Sequence, residues 1–136
     1  MHIGTMISSH LHVEGNLNEA LVRAIEEANA CAAICRICAD ACLGELMVAD
    51  LVQSIRLDLD CADVCAATSI IGARRTGSNE AVIKRMLEVC AETCAACATE
   101  CDQHAEMHEH CRICAEACRR CTDACLQAAG TITPKD

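Results

Sequence analysis

Cys31-Ala32-Ala33-Ile34-Cys35-Arg36-Ile37-Cys38-Ala39-Asp40-Ala41-Cys42 decides the fold of this chain. Its cysteines step by four, three and four residues, the spacing of one face of an α-helix and not the alternation of a strand. The same face extends upstream through Leu17, Leu21, Ala24 and Ala28. The pattern recurs in Cys61-x3-Cys65, in Cys90-x3-Cys94-x2-Cys97-x3-Cys101 and in Cys111-x2-Cys114-x3-Cys118-x2-Cys121-x3-Cys125. Fifteen of the 136 residues are cysteine and none is aromatic, so a core must be filled by Ala, Leu, Ile, Val, Met and the cysteines themselves.

Asn16 followed by Glu19 reads as a capping box opening the first helix. Gly44 reads as its stop, since glycine tolerates the left-handed conformation that ends helices. A second helix is expected from about Leu46 to Ile71, with Ser54, Asp58, Cys61, Cys65 and Thr68 on its stripe. The loop from Gly72 to Asn79 follows, and Ser78 or Asn79 caps a third helix that carries Ile83 and Leu87 below its four cysteines. A break is expected between about Gln103 and Glu109, because one helix from 80 to 129 would outrun so small a domain. The fourth helix then ends near Gly130. The fold class is all-α: an antiparallel up-down-up-down four-helix bundle with a Cys-lined core. It spans residues 16–130, between a flexible N-terminal tail at 1–15 and a C-terminal tail at 131–136.

Charge and the N-terminus restrict the partners. A net charge of −9 repels nucleic acid, and no apolar run approaches the roughly 20 residues needed to span a membrane. Met1 to Gly15 has no basic and apolar succession of an export signal, which predicts a cytoplasmic chain with reduced thiols. Fifteen is odd, so complete internal disulfide pairing is impossible.

Cysteine can serve as a small core hydrophobe, but fifteen on inward stripes, where leucine would pack better, call for another reason. Neighbours at i,i+4 on a helix have Cβ atoms ~5–6 Å apart, and a disulfide needs ~3.5–4.5 Å. Two thiolates at that spacing reach a shared metal instead. Zinc on four thiolates carries a net −2, and several such sites would bury a large charge. A soft monovalent ion bridged by thiolates leaves about one positive charge per sulfur, and thiolates select Cu(I). The predicted cargo is therefore multiple Cu(I) ions per chain, held by Cys31, Cys35, Cys38, Cys42, Cys61, Cys65, Cys90, Cys94, Cys97, Cys101, Cys111, Cys114, Cys118, Cys121 and Cys125. Cys31-x3-Cys35-x2-Cys38 also matches the cluster spacing of radical SAM enzymes, but the chain lacks the strands and length of their barrel. The ferredoxin run of cysteines followed by proline is absent.

Taken together, the four cysteine ladders resemble the Cys-rich four-helix-bundle copper storage proteins, in particular their signal-less cytosolic branch. The resemblance covers residues 17–129. It implies a bundle whose core binds many Cu(I) ions, a role in storage or sequestration, and a homotetramer. The second helix departs from the pattern, with only two cysteines and with Ser54 and Asp58 where others could stand.

The two ends of such a bundle differ. Leu17, Leu21, Ala24, Ile83 and Leu87 close one end. The other gathers Cys42, Met47, Ser54, Asp58, Cys101, His104, Met107, His108, His110 and Cys111, donors of graded softness that could pass metal inward. Candidate ligands beyond the thiolates are therefore His104, His108, His110 and Asp58, the last costly to bury unless paired. His2, His10 and His12 fall in the tail. No general-base constellation or phosphate loop points to an enzyme. The competing roles are a copper chaperone or electron carrier with one or two sites, and a thiolate buffer for zinc or cadmium.

Overall fold

The computed structural model describes residues 2–134. Its helices are α1 (Ile3–Ser8), α2 (Glu19–Leu43), α3 (Val52–Gly72), α4 (Glu80–Asp102) and α5 (Glu109–Gly130), with a single 3-10 turn at Val48–Leu51 before α3. Helices α2 to α5 form the bundle: α2 packs on α3 and α5, and α4 packs on α3 and α5. Each long helix therefore has two neighbours, and the four inward stripes meet along one axis.

Alanine lets these helices approach. Ala24, Ala28, Ala32, Ala62, Ala91, Ala115, Ala124 and Ala128 are buried beside the cysteines, where larger side chains would force the backbones apart. One end is plugged by Leu21, Ile25, Ile83 and Leu87, all buried. Gly72 passes so close to that plug that a Cβ would lie 3.2 Å from Ile83 Cδ1 and 3.3 Å from Ile25 Cγ1. Lys84 Nζ donates to the Ala129 carbonyl at 2.7 Å, occupying an acceptor at the end of α5.

Several helix ends differ from expectation. The first cap is Asn18 rather than Asn16: its side chain accepts from the Leu21 amide at 3.1 Å. Gly44 ends α2 in the right-handed region, at φ −85°. The chain leaves that helix through 3-10-type bonds from the Gly44 and Glu45 amides to the Ala41 and Cys42 carbonyls. Asn79 stands at the start of α4 but spends its side chain backwards, donating from Nδ2 to the Ile71 carbonyl at 3.1 Å. The break between α4 and α5 falls at 103–108, inside the expected window.

The segment read as a flexible N-terminal tail is folded against the closed end. Helix α1 buries Ile7, Gly15 reverses the chain at φ +76°, and His10 Nε2 lies 2.9 Å from Thr76 Oγ1. Ile3 and Ile7 give this six-residue helix its inner side, too short a run for a helical period to show in the sequence. Ile132 is likewise buried, so the C-terminal segment also packs at its start; positions 135–136 of that expected tail, like Met1, lie outside the described residues.

Candidate metal centre

All fifteen cysteines are buried and unpaired as free thiols. The α-helical period converts the sequence ladder into a continuous column of sulfur. Near the plug, Cys65 and Cys90 sulfurs lie 3.6 Å apart, and Cys121 is 3.9 Å from both Cys90 and Cys125. One level up, Cys94 sits 3.5 Å from Cys61 and from Cys65. Across the axis, Cys31, Cys35 and Cys118 form a triangle with 3.7 Å sides, and Cys35 is 3.7 Å from Cys114.

These separations are well beyond a disulfide bond and close to what one metal ion needs. A metal–sulfur bond of about 2.3 Å puts two sulfurs ~4.0 Å apart in trigonal and ~4.6 Å apart in linear coordination. Spacings of 3.5–4.0 Å require an outward shift of a few tenths of an ångström. The four-donor groups share members: Cys31 belongs both to Cys31/Cys65/Cys94/Cys121 and to Cys31/Cys35/Cys61/Cys118, and Cys35 and Cys118 recur with Cys97 and Cys114. A sulfur shared by two groups is placed to bridge two ions. Such a column can hold many soft ions in contact, not isolated tetrahedral ones.

In the metal-free core the thiols hydrogen-bond to one another, so that accepting and donating sulfurs are driven apart. Hydrogen bonds, first those with Cys114, Cys121 and Cys114, raise Cys35, Cys94 and Cys118 far above the ordinary thiol range, with burial adding to the effect. Cys61 is drawn down to about 6, first by Cys118. Burial pushes Cys42 up to about 12. Loading the column exchanges protons for cations.

Asp58 is fully buried, and its inward register is as expected. It faces thiols rather than an imidazole: Oδ1 accepts from Cys97 at 3.2 Å, Cys114 at 3.3 Å and Cys101 at 3.6 Å. Its Oδ2 is buried with no hydrogen-bond partner among the described residues. Burial, then repulsion from Cys114 and Cys97 where these are ionised, pushes the carboxyl up to about 12. Asp58 also joins Cys38, Cys101 and Cys114 in a four-donor group. Along the same helix, Thr68 turns its hydroxyl back to the Val64 carbonyl at 2.7 Å, and Ser54 Oγ is buried with no hydrogen-bond partner among the described residues.

At the open end, His110 Nδ1 lies 3.5 Å from Cys38, 3.6 Å from Cys111 and 4.0 Å from Cys42. These four form a donor group at the mouth, and Cys38 links it to the Asp58 group below. His104 and His108 are half-buried on the rim but face carboxylates: His104 Nε2 is 3.5 Å from Glu100, and His108 Nδ1 is 2.8 Å from Glu45. Met47 and Met107 stand at the same end, yet they are 58% and 77% exposed, turned outward from the column. His10 and His12 lie together near the closed end, with ring centroids 5.3 Å apart. Glu45 has no place in any helical stripe, and only its neighbourhood in space singles it out. Among the described residues, no helix is long and apolar enough to cross a membrane.

A family model described as copper storage protein matches residues 17–130. The copper storage protein of Streptomyces lividans, in a structure loaded with 10 copper equivalents, is 47% identical and superposes with a TM-score of 0.91, covering 96% of this chain and 99% of that one. A structure of a cytosolic copper storage protein from the same organism, with five coppers, is 53% identical with a TM-score of 0.82, over 85% of this chain and 96% of its own. A Cu(I)-bound copper storage protein from Bacillus subtilis is 36% identical, with a TM-score of 0.68, over 78% of this chain and 94% of that one.

Proposed function

The chain belongs to the copper storage protein family, and from that membership we propose that it stores Cu(I) at high capacity on the thiolates of its bundle core. The observation that carries the reading is the sharing of sulfurs between successive donor groups, from Cys121 near the plug to Cys38 beneath His110. A chaperone or single-centre electron carrier needs one such group. A zinc buffer would bury net charge with every added ion. The proposed ligands are the fifteen cysteines, with His110 in the group at the mouth, Asp58 in the group below it, and His104 and His108 as rim donors.

Anaerobic Cu(I) titration against a chromophoric chelator is the test. If each ion takes two or three thiolates and each thiolate bridges two ions, capacity is about ten to fifteen per chain. Saturation at one or two ions would overturn the storage reading.

The rim histidines are proposed to lower the barrier to transfer and not to set capacity, because most binding free energy resides in the thiolates. His104→Ala combined with His108→Ala should slow uptake and removal in stopped-flow traces while end-point titration stays near wild type. Unchanged kinetics would move the mouth elsewhere. The chain is proposed to act in the cytoplasm and without catalysis, in keeping with the cytosolic relative and the family role. A homotetramer is proposed as well. An apolar groove of about 350 Å³ lined by Val64, Ala67, Met86 and Val89 between α3 and α4 supports self-association.

A further inference from the structure

We propose that Glu45 is a positioning residue that sets which nitrogen of His110 meets incoming metal. This rests on the storage reading, but it concerns a residue outside every stripe and outside the donor set. Glu45 stands one residue beyond the end of α2, where its amide is tied to the Cys42 carbonyl at 3.2 Å. His108 is the residue immediately before α5, and its carbonyl accepts from the Cys111 and Arg112 amides. Backbone bonds therefore anchor Glu45 and His108, the two residues that face each other across the mouth, and His110 follows in the first turn of α5.

The carboxylate reaches both imidazoles. Its Oε2 lies 2.8 Å from His108 Nδ1, and its Oε1 lies 3.7 Å from His110 Nε2. The two rings stack with centroids 5.5 Å apart, so fixing one restrains the other. His110 Nε2 is buried and has no hydrogen-bond partner among the described residues, and Glu45 Oε1, 3.7 Å away, is the acceptor that faces an N–H at that atom. A neutral imidazole carries one N–H. With that N–H on Nε2, Nδ1 is the bare donor, and Nδ1 is the atom aimed at the Cys38, Cys42 and Cys111 sulfurs. The opposite tautomer would point an N–H into the thiolates and offer metal nothing. Metal drawn onto Nδ1 makes the Nε2–H more positive and pulls it toward the carboxylate, shortening the 3.7 Å gap.

Two variants separate geometry from charge. Glu45→Gln removes the charge at constant size. Glu45→Asp keeps the charge but withdraws the oxygens by one methylene. Both should shift the His110 imidazole of metal-free, reduced protein away from the Nε2–H form, read in long-range 15N–1H spectra with His110 signals identified by their loss in His110→Ala. Both should also slow uptake of the first Cu(I) from a chelate by about 10-fold, with end-point capacity unchanged. An unmoved tautomer in both variants overturns the proposal, and so does a Glu45→Asp protein that loads at the wild-type rate, because charge alone would then suffice. A wild-type capacity of one or two ions would instead overturn the storage reading, whatever the tautomer shows.

Discussion

Replacing Cys35, Cys94 and Cys118 by serine is expected to reduce Cu(I) capacity by more than the one-fifth that three of fifteen thiols represent. These residues supply the middle of the column. Cys35 and Cys118 occur together in two four-donor groups, and Cys94 completes a third with Cys31, Cys65 and Cys121. Loss of a bridging sulfur removes one negative charge and one link between neighbouring ions, and a neutral hydroxyl replaces neither. The fold should survive the change. Thr68 already lies on this inward face with its hydroxyl bonded to the carbonyl one turn back, at 2.7 Å, and serine can do the same. Groups at the mouth, Cys38/Cys42/His110/Cys111 and Cys38/Asp58/Cys101/Cys114, remain whole, so uptake of the first ions should stay fast. Anaerobic end-point titration of variant and wild type at equal thiol reduction measures the loss. Equal capacities would show that the middle sulfurs are packing and not ligands.

The storage column was legible in the sequence because it repeats. A helix places i, i+3 and i+4 on one face, so four independent ladders reported the same interior, and the inward register of Asp58 came with them. Legibility stopped where the helices stop. Met47 and Met107 do stand at the mouth, where the up-down topology puts them, but beyond a helix end the 100° advance no longer governs direction, and both side chains are exposed. Glu45 was invisible for the same reason, since what marks it is the approach of α5 across the mouth. His110 sits one residue before Cys111 on α5 and off that helix's cysteine stripe, yet its Nδ1 lies nearest the thiols of the three mouth histidines, whereas His104 and His108, continuing the α4 progression, turn to carboxylates. At the other end, α1 contributes Ile7 to the cover, and a six-residue helix has too few turns for a period to be read.

The largest stability effect should come from Asp58→Asn in the metal-free protein. The carboxyl is wholly buried and pushed up to about 12, first by burial and then by Cys114 and Cys97, from an ordinary value of 3.8. Folding at neutral pH therefore takes up a proton. Each pH unit above the unfolded value costs about 1.4 kcal/mol, so the penalty at pH 7 is up to about 4 kcal/mol, and water admitted by core fluctuations lowers it. The sign follows from the raised value: stability contributed by this group is complete below about pH 4 and is lost as pH climbs through the window from 3.8 toward 12. Asparagine is neutral throughout, and its carbonyl can keep accepting from the Cys97 and Cys114 thiols that Asp58 engages at 3.2 and 3.3 Å. Urea unfolding of both proteins, reduced and chelator-treated, should show the variant's advantage growing by up to about 2.7 kcal/mol from pH 5 to pH 7. Titrating groups remote from Asp58 cancel in that difference. Parallel behaviour at the two pH values would mean that the Asp58 carboxyl ionises freely inside the bundle. With copper bound the advantage should shrink or reverse, because a carboxylate beside Cu(I) is matched by the ion's charge and an amide is not.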